Sequence, residues 1–318
     1  MSNNQPPNPP AESGQTWTRS MIADEILSPD LEPGIDMMAI HTPIRGFVAP
    51  PQDWQTYNHD LANDKTWATA IWPLKSGQVK LNANLGTQSY ALIEFNPSKI
   101  LFGGWRLASL SEAETVFDEV MGLVQEWVEP SPLPRDYKVS RIDAARDFAP
   151  VVDILGLLRL AERSKPFKSK NPCTYIDRDS GGPQTVTFST KSSGCLQFYD
   201  KGLETGLGGD WLRIEHRIKG RDLKKFGLKN LSDLSVERLS AAFRSRLRRF
   251  CALCGAHPQG AFDEIAQEPS QLRTLVNLLG RDVAAESGRE IPMSAYDKRN
   301  FAAFEKRWPY VTARDLLA

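Results

Sequence analysis

Within residues 185–219 (TVTFSTKSSGCLQFYDKGLETGLGGDWLRIEHRIK), a tyrosine, a lysine, an arginine and carboxylates recur at spacings that set them on one surface. Thr185 to Thr190, Cys195 to Asp200 and Trp211 to Ile218 each alternate β-branched or aromatic residues with polar ones. Turn residues part the runs, so the pattern predicts three antiparallel strands. Side chains two apart on a strand share a face, which groups Gln197, Tyr199 and Lys201, and likewise Trp211, Arg213, Glu215 and Arg217. Leu196, Phe198, Leu212, Ile214 and Ile218 point the other way. One face is therefore polar enough to host chemistry, although a half-buried sheet with solvated charges shows the same alternation.

A second acidic stretch lies upstream. Lys138 to Phe148 reads as a strand with Arg141, Asp143, Ala145 and Asp147 on one face and Ile142, Ala144 and Phe148 on the other. Asp143 and Asp147 sit about 13 Å apart at ~3.3 Å per residue, too far to share one ion on a straight strand. One of them, with Glu215 or Glu204 from neighbouring strands, makes a carboxylate cluster suited to a hard cation such as magnesium. A carboxylate beside Arg141 and Arg213 is equally explained as a paired charge.

Other chemistries lack their residues. The chain has no Walker-type loop, no HExxH and no dinucleotide fingerprint, since Gly103 and Gly104 stand alone. His41, His59, His216 and His257 are scattered, and nothing local supports a serine or cysteine triad. Cys251 and Cys254 form a CxxC without a second pair, short of the four ligands zinc needs.

The elements that must hold these groups follow from the same patterns. Residues 1–33 are proline-rich and poor in core formers, which predicts a disordered tail. Ile35 to Ile44 is an apolar run that Pro43 assigns to a sheet edge or strand end. Short strands are expected near Lys80 to Asn84 and Ser89 to Asn96, then a helix from Ser111 to Val128 capped by Ser111 with Glu114. A second amphipathic helix is expected from Val151 to about Arg163, with Pro150 in its first turn and Val152, Leu155 and Leu158 inward. The fold class that results is α+β, an antiparallel sheet domain with helices on one face. A smaller α-helical region follows over residues 222–318, with helices at Ser235 to Cys254, near Gln271 to Leu279, and at Ala295 to Trp308.

At 318 residues and 41% hydrophobic content the chain has enough apolar material for an ordinary core. No apolar run approaches a membrane span, and neither a signal peptide nor a dense cysteine framework is evident, so a cytoplasmic protein without membrane contact is expected. The formal charge is zero but uneven: residues 1–60 carry eight acidic and two basic side chains, while 221–318 carry seventeen basic against twelve acidic. That makes the last third the better face for a polyanion, with Arg244, Arg248 and Arg249 on the exposed side of the Ser235 helix as candidate DNA-binding residues.

Taken together, Arg141-Ile142-Asp143 with Asp147, FYDKGLE (Phe198 to Glu204) and WLRIEHRIK (Trp211 to Lys219) resemble the rolling-circle replication initiators. The filamentous-phage gene II type is the nearer likeness, and trans-acting plasmid Rep proteins a more distant one. Gly34 to Ile44 is similar to the opening strand of the phage proteins, and Phe95 to Gly103 (FNPSKILFG) to their Asn-Pro-x-Lys segment. The likeness runs in order from Ile35 to Arg221, implying a catalytic domain over residues 34–221. It implies site-specific nicking and joining of DNA by a tyrosine, Tyr199, with Lys201 and Arg213 supplying positive charge. The divalent metal, Mg2+ or Mn2+, would be held by carboxylates among Asp143, Asp147, Glu204 and Glu215, because the histidine pair of many initiators is missing. Single-stranded or supercoiled origin DNA, and a host helicase and polymerase, are the partners it implies. A binding protein of the same fold without cleavage, and a nuclease in which water attacks, remain as alternatives.

Overall fold

Alternation of period two over most of the chain's first two-thirds gives one antiparallel sheet. In chain order its strands are β1 (Gly34–Phe47), β2 (Thr56–Asp60), β3 (Lys65–Leu74), β4 (Gly77–Leu85), β5 (Tyr90–Phe95), β6 (Val128–Pro130), β7 (Lys138–Phe148), β8 (Cys173–Ile176), β9 (Pro183–Thr190), β10 (Gly194–Asp200) and β11 (Leu212–Lys219). Across the sheet they run β2-β3-β4-β5-β1-β7-β11-β10-β9-β8, and β6 pairs with the end of β1. This is a computed structural model, and it describes residues 16–60, 62–86, 89–131, 137–166, 173–176, 183–190, 194–206, 210–256, 273–274, 276–277 and 295–311.

The helices are α1 (Arg19–Leu27), α2 (Pro97–Phe102), α3 (Leu110–Val124), α4 (Ile154–Ser164), α5 (Lys201–Thr205), α6 (Arg221–Lys225), α7 (Val236–Arg244), α8 (Arg248–Gly255) and α9 (Ala295–Arg307). Register puts Val79, Phe95, Met38, Ile142, Ile218, Phe198 and Val186 on one side of the sheet, all of them fully buried. Helices cover that side: Phe117 of α3 packs 6.3 Å from the Phe95 ring, and Phe250 of α8 packs 4.8 Å from that of Phe198. The architecture is α+β, and the other side of the sheet is left for polar groups. No helix among the described residues is long and apolar enough to cross a membrane.

Several expectations change. Residues 19–27 are not tail but helix: Ile22 and Ile26 are fully buried, and α1 packs against α8. Residues 1–15, and most of the helix expected near Gln271 to Leu279, lie outside the described residues. β1 is a central strand despite Pro43, which falls where one neighbour gives way to another. Pairing with β7 ends at His41 and pairing with β6 starts at Ile44, so no ladder bond needs the missing N–H. The helix cap upstream is Ser109 with Glu112, two residues earlier than expected, and the helix ends at Val124. Helix α4 starts at Asp153, whose side chain accepts from Gly156 N, and leaves Val152 more than half exposed. The helix read through Ser235 to Cys254 breaks at residues 245–247, where the Ser245 hydroxyl donates to the Ala242 carbonyl. Its apolar stripe of Leu239, Phe243, Leu247, Phe250 and Cys254 is nonetheless buried throughout.

One buried titratable group makes this fold acid-sensitive. His216 of β11 is fully buried on the apolar side, where a ring nitrogen donates to the Ala242 carbonyl at 3.1 Å. Burial holds its pKa down to about 4, although Asp222 pulls the other way. Between pH 6.5 and 4 the unfolded chain binds this proton and the folded chain does not, so stability falls as pH drops through that window. The shift corresponds to about 3 kcal/mol. His216→Leu should flatten the acid limb of a urea-midpoint against pH curve; identical limbs would show that another group sets it.

Candidate active site

Five strands and two helices line one cavity of about 390 Å3 on the polar side of the sheet, and four of those strands supply its tyrosine, its two arginines and three of its carboxylates. β10 contributes Tyr199 and Gln197, β11 contributes Glu215 and Arg217, and β7 contributes Arg141 and Asp143. The fourth contribution is Asp36 of β1, which the sequence reading missed. Register shifts between Ile35 and Met37, a β-bulge that turns Asp36 toward the polar side, where Arg213 Nη1 donates to it at 3.3 Å.

The segment Asn96 to Lys99 supports this corner. Asn96 caps α2 by accepting from Lys99 N at 2.7 Å, while its amide nitrogen donates to Asp36 Oδ2 at 3.3 Å. Pro97 takes the first helical position, where no N–H is needed. Ser98, fully buried, donates to the Ile35 carbonyl at 2.7 Å and accepts from Ala108 N at 2.9 Å, tying α2 to β1. Lys99 then lines the cavity. At the opposite wall Asp200 caps α5 by accepting from Leu203 N, which sets Lys201 at the start of the helix and over the Tyr199 ring at 5.9 Å.

The hydroxyl of Tyr199 donates to Glu215 Oε2 at 3.4 Å. Burial raises the phenol pKa above its ordinary value; Arg213 works against that rise, and the charges of Glu215, Glu204 and Asp36 add to it. Glu215 is pushed up to about 8, first by burial and then by the negative charges of Asp143 and Asp36. Asp36 is raised as well, by burial. Asp143 is held by Arg141, whose Nε donates to Oδ1 at 2.8 Å and whose Nη2 donates to Oδ2, and by Arg217 Nε at 3.3 Å.

Neither a protein-family model nor a curated relative matches the sequence. Among solved structures the chain is similar to a rolling circle replication initiator protein from Geobacillus stearothermophilus, at 17% identity over 66% of this chain and 78% of that one, with a TM-score of 0.31. So loose a likeness carries nothing about function.

The geometry sorts the expected site residues. Tyr199, Lys201, Asp143, Glu204 and Glu215 do meet around one cavity. Glu204 comes from helix α5 rather than a strand, and accepts from Lys201 Nζ at 2.6 Å. Arg213 is 1% exposed and spends its guanidinium on Asp147, at 2.6 and 2.7 Å, and on Asp36. It therefore acts as a buried brace that lends field to Tyr199, not as a phosphate contact, and Asp147 is its partner rather than an open ligand. Arg244 donates to the Ser28 carbonyl, inside the fold. Arg248 and Arg249 are exposed, but on α8, which lies across the sheet from Tyr199.

A hard cation suits what remains. Among the described residues no three histidine, cysteine, aspartate or glutamate side chains form a ready ligand shell. Magnesium does not require one, since it keeps several waters and binds through one or two carboxylates plus substrate phosphates. Asp36 and Glu215 line the cavity with carboxylate oxygens that a cation could meet, whereas both oxygens of Asp143 are already held by Arg141 and Arg217. The cavity also presents four acidic side chains against four basic ones, Lys99, Arg141, Lys201 and Arg217. A bound cation would add positive charge beside a phosphodiester that the four basic groups already face.

The brace predicts a stability effect. Arg213→Met would leave Asp36 and Asp147 facing each other without their cation. Both carboxylates keep some solvent contact, at 18% and 17% exposure, so the loss should lie near the low end for a broken buried pair, about 3 kcal/mol. Denaturant unfolding of the variant measures it, and a change under about 1 kcal/mol would show that the network contributes little.

Proposed function

We propose that this chain cuts and rejoins a DNA strand through Tyr199, as the initiating step of rolling-circle replication. The observation that carries the reading is the Tyr199 hydroxyl, hydrogen-bonded to Glu215 inside a cavity lined by carboxylates and cations on an otherwise open sheet face. In the forward step the Tyr199 oxygen attacks the scissile phosphorus, its proton passes to Glu215 Oε2, and the bond from phosphorus to the 3′ oxygen breaks. The products are a 5′-phosphotyrosine and a 3′ hydroxyl, the leaving oxygen taking up a proton. Because the phosphodiester is exchanged and not hydrolysed, the reverse attack by a 3′ hydroxyl rejoins the strand.

Glu215 suits its part, since a base pushed up toward neutral pH can both take and return a proton there. Lys99, Arg141 and Arg217 would position the phosphate oxygens, and Lys201 shields the tyrosine ring from the Glu204 side. Asp36, with Glu215 and Asp143 beside it, would hold the divalent cation, which when bound stabilises negative charge developing at the phosphate. Single-stranded or supercoiled origin DNA is the substrate this chemistry needs. The test is incubation of the protein and Mg2+ or Mn2+ with 3′-end-labelled single-stranded DNA, followed by denaturing electrophoresis. A labelled band at protein mass supports the proposal; cut DNA without any adduct replaces it with a hydrolytic nuclease, and uncut DNA that still binds replaces it with a binding protein.

A further inference from the structure

The polar face that carries Tyr199 extends far beyond its cavity. Cross-strand partners share a face, so the register carries this surface from Arg141 on β7 to Ala39 and His41 on β1 and onward. Two rows of residues then cross β5, β4 and β3. His41 is followed by Leu92, Asn82 and Thr69, and beside them run Tyr90, Asn84 and Trp67. Trp67 is 45% exposed and Tyr90 38%, on a side of the sheet opposite the packed helices. The His41 ring lies 5.3 Å from that of Tyr90, and Thr69 Oγ1 donates to Asn82 Oδ1 at 3.1 Å.

We infer that this face is a track for single-stranded DNA, with Trp67 and Tyr90 as stacking platforms for bases on the strand whose phosphate reaches Tyr199. The inference rests on the proposed reaction for where the strand leads. Three features favour this occupant. Exposed indole and phenol rings offer π-faces to unpaired bases of any sequence, whereas the bases of a duplex are already stacked. The amides of Asn82 and Asn84 stand between the rings, able to donate and accept at base edges. Lys80, 43% exposed, makes only a long ion pair with Glu94 at 3.9 Å and so can turn its charge to the backbone. The surface also reaches the cavity, whose Arg141 pairs with Ala39 on β1: Tyr90 lies four strand spacings across the sheet and roughly eleven residues along it from Tyr199, and Trp67 six spacings across at the same level, about 40 and 46 Å at ~4.8 Å per strand and ~3.3 Å per residue. A strand of several nucleotides spans that distance.

Both rings are surface groups, so their replacement should leave the fold intact. Binding of a fluorescent single-stranded oligonucleotide to the full chain, followed by anisotropy, should weaken about tenfold with Trp67→Ala and again with Tyr90→Ala, as expected for lost base stacking. Trp67→Phe and Tyr90→Phe should restore most of the affinity, and binding of the matching duplex should change little. Unchanged single-strand affinity in the double alanine variant overturns the inference. If that variant instead loses a self-association seen by sedimentation while still binding the oligonucleotide normally, the face belongs to a second copy of the chain and the inference falls. Adduct formation separates this idea from the reaction it rests on. An intact adduct with unaltered affinities removes the track alone, while weakened affinities without an adduct in any variant remove the Tyr199 reaction alone.

Discussion

Tyr199→Phe should give a protein that folds, binds single-stranded DNA and forms no covalent adduct. The hydroxyl makes one hydrogen bond, to Glu215 at a long 3.4 Å, so its removal should cost no more than about 1 kcal/mol of stability. Against that small structural cost stands a large chemical one. Deleting the nucleophile of a covalent enzyme lowers its rate on the order of 10⁶-fold, and here no residual path yields an adduct. The structure also ranks the other tyrosines. Tyr137 packs edge-on against Phe117 at 5.0 Å, on the helix-covered side of the sheet. Tyr90 shares the open face but stands four strands away, and Tyr175 lies on the outermost strand, β8. An adduct that survives Tyr199→Phe would refute the assignment, and peptide mapping would begin with Tyr90. Cutting that survives without an adduct would make water the nucleophile and Tyr199 a structural residue.

The strands that frame this tyrosine could be read from sequence because apolar and polar residues alternate along each, even though β11 buries both faces from Leu212 to His216. Lys138–Phe148 has the expected bounds, and β9, β10 and β11 follow the alternation that predicts them. Where residue type does not alternate, the signal fails. β2 reads TYNHD with no buried residue, and it is held by the ladder to β3 and by the Tyr57 ring 5.8 Å from that of Phe47. α1 lies among prolines and buries just Ile22, Ala23 and Ile26; what holds it is packing against α8, a partner more than two hundred residues away in sequence. Local propensity carries no trace of such a contact. The break between α7 and α8 escapes for the opposite reason, since the stripe that buries Phe243, Leu247 and Phe250 continues through it.

The candidate site divides along the same line. Period two shows which side chains share a face, and Tyr199, Glu215 and Asp143 do. It does not show which of them neutralise one another. Arg213 looked like a phosphate contact because it lies on the Tyr199 face, but complete burial and a bidentate bond to Asp147 give it another task. Asp36 was missed because a bulge, which sequence alternation cannot register, reverses its side. A lone carboxylate at the head of an otherwise apolar strand was the available clue. Asn96 reads from sequence as a turn with Pro97 and Lys99 only as part of a resemblance, whereas the structure gives each a physical role, the first as the cap that also holds Asp36 and the second as a cation on the cavity wall.

Glu215→Gln should lower the nicking rate by about 10²- to 10⁴-fold, the usual contribution of a positioned proton acceptor, while leaving DNA affinity nearly unchanged. Glutamine keeps the shape and can still accept from the Tyr199 hydroxyl, but it cannot take the proton. The same substitution tests the cation site. Glu215 is pushed up to about 8 because burial and the charges of Asp143 and Asp36 oppose its ionisation. A bound divalent cation reverses that balance, so Mg2+ or Mn2+ should raise the melting temperature of the wild-type protein. The stabilisation should be about 2.7 kcal/mol at a hundredfold excess over Kd. Glu215 is ionised mainly above pH 8, so the thermal shift should grow as pH rises through that value. In Glu215→Gln the thermal shift should shrink at every pH, and more cation should be needed for half-maximal residual nicking. Asp143→Asn should reduce the shift in the same way, and a chelator should stop the wild-type reaction without releasing DNA, because the arginine and lysine contacts to phosphate do not depend on the ion. A Glu215→Gln protein that nicks at the wild-type rate would exclude both roles. A slow variant with an unaltered thermal shift and cation requirement would leave Glu215 as the base and move the ion to Asp143 and Asp36.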